Sequence, residues 1–320
     1  MYYGSWVEHM LRHHLIAILP WFAVNFFVFE NLFASEVLKF SRDDGTIIDY
    51  YLVSTNKMSE SLLVLIQGSD CNSVSHNKRI NDAFIKVLPE ADILTVEKYG
   101  INDQLEWSDD PERVDCPEAY IERDSLEQRV QDYSILLNSL QERGQYKNIV
   151  LIGGSEGAVV ANILASRLHY LHATIALNSG APKFLDDVLH NIASQAQSPE
   201  AYSSASKEFI GFYQHIMNSE PFKLNISGHG YRWWRNMFEV NQMQVLAKIN
   251  TPLLLVQSGN DKNVSAGLAQ ELAKSLIKDS PNITFKLYKD LDHSFMLENG
   301  NDRVDIVIKD IKLWLQKLKT

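Results

Sequence analysis

The stretch Ile149 to Ala158, Ile-Val-Leu-Ile-Gly-Gly-Ser-Glu-Gly-Ala, limits the folds open to this chain more than any other. A short continuous run of apolar, largely β-branched residues predicts a strand buried on both faces. The run stops at Gly153-Gly154-Ser155-Glu156-Gly157, after which Val159, Val160, Ile163, Leu164 and Leu168 repeat at helical spacing. A strand therefore turns sharply into a helix, with a serine at the turn. Glycines two places before and after that serine fit, because side chains there would collide as strand and helix close on each other. A strand buried on both faces needs further strands beside it and helices on both sides.

The rest of the chain supplies them. Glu36 to Phe40 and Thr46 to Val53 flank Arg42-Asp43-Asp44-Gly45, a hairpin signal that predicts an antiparallel opening pair. Ser61 to Ile66 reads as a buried strand, His76 to Leu88 as a helix ended by Pro89, and Ala91 to Val96 as the next strand. From Glu97 to Asp124 the composition turns polar and predicts a long loop. Leu126, Val130, Tyr133, Leu136, Leu137 and Leu140 then space a helix over Ser125 to Glu142, with Asp124 as its cap. Ala173 to Leu177 is another buried strand. Strand and helix alternate again from Pro252 to Gln257, Ser265 to Ile277, Ile283 to Tyr288 and Arg303 to Leu318. The pattern predicts an α/β fold: a mostly parallel central sheet covered on both faces, with its sites at the carboxyl ends of the strands. Between about residues 183 and 250 the rhythm breaks into helical patterns with the aromatic cluster Tyr231, Trp233, Trp234 and Phe238, which reads as a helical cap insertion. Packing of cap on core is the ordinary role of such aromatics.

With 320 residues and 45% hydrophobic composition the chain can bury a full core, and residues 35–320 read as one domain carrying that insertion. The net charge of −10 argues against nucleic acid as a partner, since phosphate binding wants a basic surface. Residues 1–34 hold a run of fifteen uncharged residues, Leu15 to Phe29, apolar except for Pro20 and Asn25, after Arg12, His13 and His14. This layout predicts a secretory signal cleaved near Ala34, or alternatively an uncleaved anchor that associates with a membrane. The expected location is thus exported, periplasmic or secreted. The two cysteines, Cys71 and Cys116, follow consecutive strands and share one edge of the sheet. In an oxidising compartment they either form one disulfide or remain two loop thiols.

Gly153-Gly154-Ser155-Glu156-Gly157 fits G-x-S-x-G, the nucleophile elbow, and here the chain resembles the α/β-hydrolase superfamily. The resemblance spans Glu36 to the carboxyl terminus. It implies a base and an acid in the order serine, acid, histidine. Asp261 in Ser258-Gly259-Asn260-Asp261-Lys262 and His293 in Leu291-Asp292-His293-Ser294-Phe295 match the acid and histidine windows, each just past a predicted strand. Asp290 and Asp292 are rival acids too close in sequence to reach the far side of the ring, and His229 is the rival histidine, placed to enter from the cap. Two backbone N–H donors should face the developing oxyanion. The resemblance assigns them to Glu156 and to Ser69, in a loop where Gln67-Gly68 replaces the His-Gly common in relatives.

These parts imply a serine hydrolase that cleaves an ester, carboxylesterase- or lipase-like, through an acyl-enzyme. A peptidase or acyl-peptide hydrolase of the same fold is the alternative, because the motif does not separate esters from amides. A non-catalytic small-molecule-binding protein of this fold is a third reading, against which the three residues in order count. The substrate would be a small molecule with an acyl or peptidyl group. No G-x-G-x-x-G or G-x-x-x-x-G-K is present and no H-E-x-x-H, so neither cofactor nor metal is expected.

Overall fold

The computed structural model describes residues 36–55, 59–110 and 112–318. The segment read as a signal or anchor lies outside the described residues. Among those described, no helix is long and apolar enough to cross a membrane.

Eight strands form one sheet in the order β1-β2-β4-β3-β5-β6-β7-β8. Strands β1 (Val37–Ser41) and β2 (Ile47–Val53) make the expected hairpin, with Gly45 at φ +81° in the turn and Arg42 N–H bonded to Thr46 O at 2.7 Å. The remaining strands are β3 (Ser61–Ile66), β4 (Asp92–Val96), β5 (Asn148–Gly154), β6 (Ala173–Leu177), β7 (Leu253–Ser258) and β8 (Ile283–Tyr288). They run parallel to one another, while β2 pairs antiparallel with β4. The chain leaves β3 outward to β4, then crosses back over β3 to reach β5. That reversal opens a crevice at the carboxyl ends of β3 and β5.

The period of two along each strand sorts the core into two layers. Leu62, Val64 and Ile66 of β3 join Ile149 and Leu151 of β5 on one face, under helices α2 (Leu126–Glu142) and α3 (Glu156–Arg167). Leu63 and Leu65 join Val150 and Ile152 on the other. Val307 and Ile311 of α9 (Val304–Leu318) cover that second face. Helix α8 (Ala266–Ile277) packs Leu272, Ala273 and Leu276 on the first face.

Three expectations are corrected. The helix read over His76 to Leu88 is broken into short turns at Val74–His76, Arg79–Ala83 and Phe84–Val87. Asn77 is extended and its side chain caps Ile80 N–H, while Asn81 Nδ2 takes the carbonyls of Val74 and Ser75, so side chains compete with the helical ladder. The polar stretch read as all loop contains α1 (Glu118–Arg123), which opens at Pro117. The cap of α2 is Ser125, whose hydroxyl accepts from Gln128 N–H, and Asp124 is buried instead.

Between β6 and β7 stand α4 (Phe184–Gln195), α5 (Pro199–Asn218), α6 (Tyr231–Glu239) and α7 (Gln242–Leu246). Trp233 and Trp234 are fully buried, and Trp234 meets Phe212 of α5 edge-on at 5.1 Å. These aromatics join the first core layer, so they fasten the inserted helices to the sheet side.

Candidate active site

Ser155 follows β5 at φ 55° and ψ −123°, outside the regions an ordinary residue occupies. Such a conformation costs on the order of 1–3 kcal/mol and persists only where its surroundings impose it. They do so here by close packing. A Cβ on Gly153 would lie 2.0 Å from Gly157 O, and one on Gly157 would lie 2.2 Å from Ile66 O. Strand β3, the turn and α3 thus meet backbone to backbone, and Ser155 N–H is tied to Leu177 O at 2.8 Å.

Asp261 follows β7. Its Oδ1 accepts from the N–H groups of Asn263 and Val264 at 2.8 and 3.1 Å, and its Oδ2 lies 2.7 Å from His293 Nδ1. The Asp261 side chain is fully buried, whereas His293 keeps an exposed edge. His293 follows β8, and with Nδ1 occupied its Nε2 is the nitrogen left for chemistry. His293 and Ser155 line one cleft. Asp292 bends to its own turn, with Oδ1 accepting from Ser294 and Met296 N–H.

Side chains from elsewhere hold this pair in place. Asn178, left-handed at φ 53° just after β6, donates to His293 O at 2.9 Å and accepts from Ser258 N–H at 2.7 Å. Helix α4 braces the Asp261 loop: His190 Nε2 meets Asp261 O at 2.9 Å, and Asn191 donates to Lys262 O at 3.0 Å. Asp187, from the same helix, accepts from Ala181 and Ser265 N–H. Burial outweighs these bonds and pushes its carboxyl up to about 8.

The loop after β3 approaches from the other side. A Cβ on Gly68 would sit 3.3 Å from Ser155 Cβ, and Ser69 and Glu156 line a small cavity with Ser155. Asp70 anchors this loop, because Lys98 Nζ donates to both its carbonyl and its Oδ1, at 2.6 and 2.7 Å, and Tyr120 donates to its carbonyl at 3.1 Å. The Gln67 side chain donates to Asp70 Oδ1 and Asn72 O, so it braces the loop. Cys71 is bonded to Cys116 with 5.9 Å between Cα atoms, and Arg113 donates to Cys71 O at 2.9 Å.

The Glu156 carboxylate turns inward. Arg129 donates to Oε1 at 2.6 Å and Trp233 to Oε2 at 2.7 Å, while the same guanidinium reaches Gln67 O at 2.6 Å. One buried ion pair therefore links the elbow helix, the loop after β3 and α6. Losing one member of such a pair costs about 3–5 kcal/mol. His229 lies in this interior, stacked on Trp233 at 3.7 Å and 3.3 Å from Tyr120 Oη, which leaves it outside the cleft that holds Ser155. Burial pulls its imidazole down to about 3, so it is neutral. Both Asp124 oxygens are buried without a hydrogen-bond partner, and burial together with the nearby Glu156 charge raises that carboxyl.

Eight strands in this order, a serine elbow at the crevice, and an acid and a histidine past the last two strands make one architecture. The chain has the α/β-hydrolase fold. It is similar over 89% of its length to Est1E from Butyrivibrio proteoclasticus, covering 99% of that chain at 15% identity and a TM-score of 0.58. The Pyrococcus furiosus esterase Pf2001 is similar over 89% of this chain and 91% of its own, at 14% identity and a TM-score of 0.57. The Pyrococcus horikoshii acylaminoacyl peptidase is similar over 91% of this chain but 42% of its own, at 15% identity and a TM-score of 0.55. A model of the prolyl oligopeptidase family matches residues 200–319, the part that holds Asp261 and His293 but not Ser155. No curated protein sequence matches.

Within this fold, Asn178, Arg129 and Asp187 hold the site although nothing in the sequence reading singled them out. Arg129 had a signal: it stands on the apolar stripe of α2 between Leu126 and Tyr133, where a charge needs a buried partner. Asp187 likewise sits beside Val188 on the buried side of α4. Asn178 looked like any turn residue. Among the described residues, no group of three or more His, Cys, Asp or Glu side chains is arranged to hold a metal.

Proposed function

We propose that this chain is a serine hydrolase acting on ester bonds, with Ser155 as nucleophile, His293 as base and Asp261 as its orienting acid. The observation that carries the reading is the 2.7 Å contact of Asp261 with His293 beside a left-handed serine in the same cleft. His293 Nε2 takes the hydroxyl proton as Ser155 Oγ bonds to the ester carbon, and the carbonyl electrons move onto oxygen. The N–H groups of Glu156 and Ser69 face that oxygen. Collapse expels the alcohol oxygen, which takes the proton from Nε2. Water then adds to the acyl carbon, gives its proton to Nε2, and a second collapse releases the acid and restores the serine. Asp261 holds the Nδ1–H throughout and stabilises the imidazolium.

The ferulic acid bound to Est1E and the esterase neighbours favour esters, while the acylaminoacyl peptidase and the prolyl oligopeptidase match favour amides as the second reading. The inserted helices α4–α7 serve as the cap. The Cys71–Cys116 bond supports export, since such bonds persist in oxidising compartments. Labelling with a fluorophosphonate tests the nucleophile: reaction at Ser155, lost in Ser155→Ala, is expected, and folded protein that takes no label refutes it. Turnover of p-nitrophenyl esters beside aminoacyl and peptide amides separates the two substrate readings.

A further inference from the structure

We propose that Ser155 stands between a small acyl pocket and a wide leaving-group cleft, so that the substrate is an ester of a short acid without a second carboxylate and a bulky alcohol. This rests on the esterase reading and adds the substrate class.

The small pocket lies under the inserted helices, on the α3 side of Ser155. Val159, Phe184, Val188, Met237, Val240 and Val264 supply its walls. Its free volume is about 40 Å³. A water takes roughly 30 Å³ in the liquid, so a space of this order admits only a short acyl chain.

The larger polar side chains at its wall have partners within the protein. Gln242 donates to Ser179 O at 2.6 Å and accepts from Asn162 at 3.1 Å. Asn191 donates to Lys262 O and accepts from Gln195, at 3.0 Å each. Asp187 is held by Ala181 and Ser265 N–H, and Glu156 by Arg129 and Trp233. A second carboxylate on the acyl group would thus be buried with no cation among the lining residues to meet it, at a cost of several kcal/mol.

The second cleft opens on the other side of Ser155. Gly68, His76, Lys78, Glu106, Trp107 and His293 line it, and its volume is about 1200 Å³ against the 40 Å³ of the first. His293 decides which end of the ester goes where. The leaving oxygen must come within hydrogen-bond reach of Nε2 to receive its proton. His293 lines the wide cleft and not the small pocket, whereas Ser69 and Glu156, on the oxyanion side, line the small pocket. The alcohol therefore departs into the wide cleft, where Trp107, 40% exposed, offers an aromatic face, and the acyl chain stays in the small pocket.

Two ester series test this. Along p-nitrophenyl esters from acetate to decanoate, kcat/KM is expected to peak at two to four carbons and fall at least tenfold by octanoate, with a succinyl monoester rejected. Among acetates, 4-methylumbelliferyl and acetylated-sugar esters are expected to match or exceed methyl acetate. A peak at octanoate or beyond, or preference for a feruloyl over an acetyl ester, overturns the proposal. So does rejection of bulky acetates alongside turnover of long-chain methyl esters. Met237→Ala should move the peak at least two carbons longer, as should Val240→Ala at a half-buried position if the first variant does not fold. Trp107→Ala should raise KM for bulky acetates, and a shift of the chain-length peak in this variant overturns the assignment. If no ester turns over, the esterase reading fails by itself. Labelling of Ser155 by fluorophosphonates with an ethyl or a decyl group on phosphorus then decides the pocket: faster ethyl labelling supports it, faster decyl labelling overturns it.

Discussion

Ser155 and the Asp261–His293 pair reach the same cleft by different means. The serine is set by backbone: glycines at 153 and 157 let β3, β5 and α3 touch, and a left-handed turn is the outcome. The acid and histidine are set by side chains distant in sequence, with Asn178 joining the two loops and α4 bracing the acid loop. A backbone-built element should fail as a unit, losing stability and activity together. One held by side-chain bonds should lose rate before it loses fold.

The loop after β3 packs against the serine turn and adds a covalent tie. The Cys71–Cys116 bond closes a loop of 45 residues, so removing it in the Cys71→Ser/Cys116→Ser variant should cost up to about 4 kcal/mol on the chain-entropy account, read by urea denaturation. Gly157→Ala should cost about 3 kcal/mol, since its methyl group meets the Ile66 and Gln67 carbonyls, and fluorophosphonate labelling should fall in step with stability. A stable Gly157→Ala protein with full labelling would erase the contrast. Asn178→Ala should lower kcat about 10–100-fold, or about 1.4–2.7 kcal/mol, with KM little changed and the protein still folded, as measured by steady-state kinetics and thermal melting. An unchanged kcat would show that Asn178 does not position His293.

The smallest effect concerns the interior that joins the two sides. The Asp124 carboxyl is raised because it is buried, unpaired and near Glu156. The native state then holds a proton that the unfolded chain releases, so stability falls as pH rises from the ordinary carboxylate range through the raised value. Asp124→Asn should remove that slope, differing little from the parent at pH 5 and gaining about 1 kcal/mol over it at pH 9 in denaturant titrations.

The elements that could be read in advance are those whose cause is local. The apolar runs of β3, β5 and β6 carry their own burial, and the glycines around Ser155 announce a turn that only small residues permit. The broken turns after His76 escaped because Asn77 and Asn81 spend their side chains on neighbouring backbone groups, a competition that periodicity does not register. The order serine, aspartate, histidine was visible because each residue follows a strand. Their convergence was not, since it depends on the sheet order that sets β5, β6, β7 and β8 side by side.

By itself, the sequence of this protein determined the strand–turn–helix at Ser155, the parallel α/β layering and the residue types offered at the strand ends. Tertiary structure alone decided the fate of Glu156, whose carboxylate turns inward to Arg129 and Trp233 and leaves only its backbone N–H beside Ser155. It likewise decided the role of Asn178, the partnership of Cys71 with Cys116, and the unequal spaces on the two sides of Ser155. The physical reason is range. Backbone preference and apolar periodicity act within a few residues, while a buried charge or a cavity wall takes its meaning from groups brought together across the whole chain.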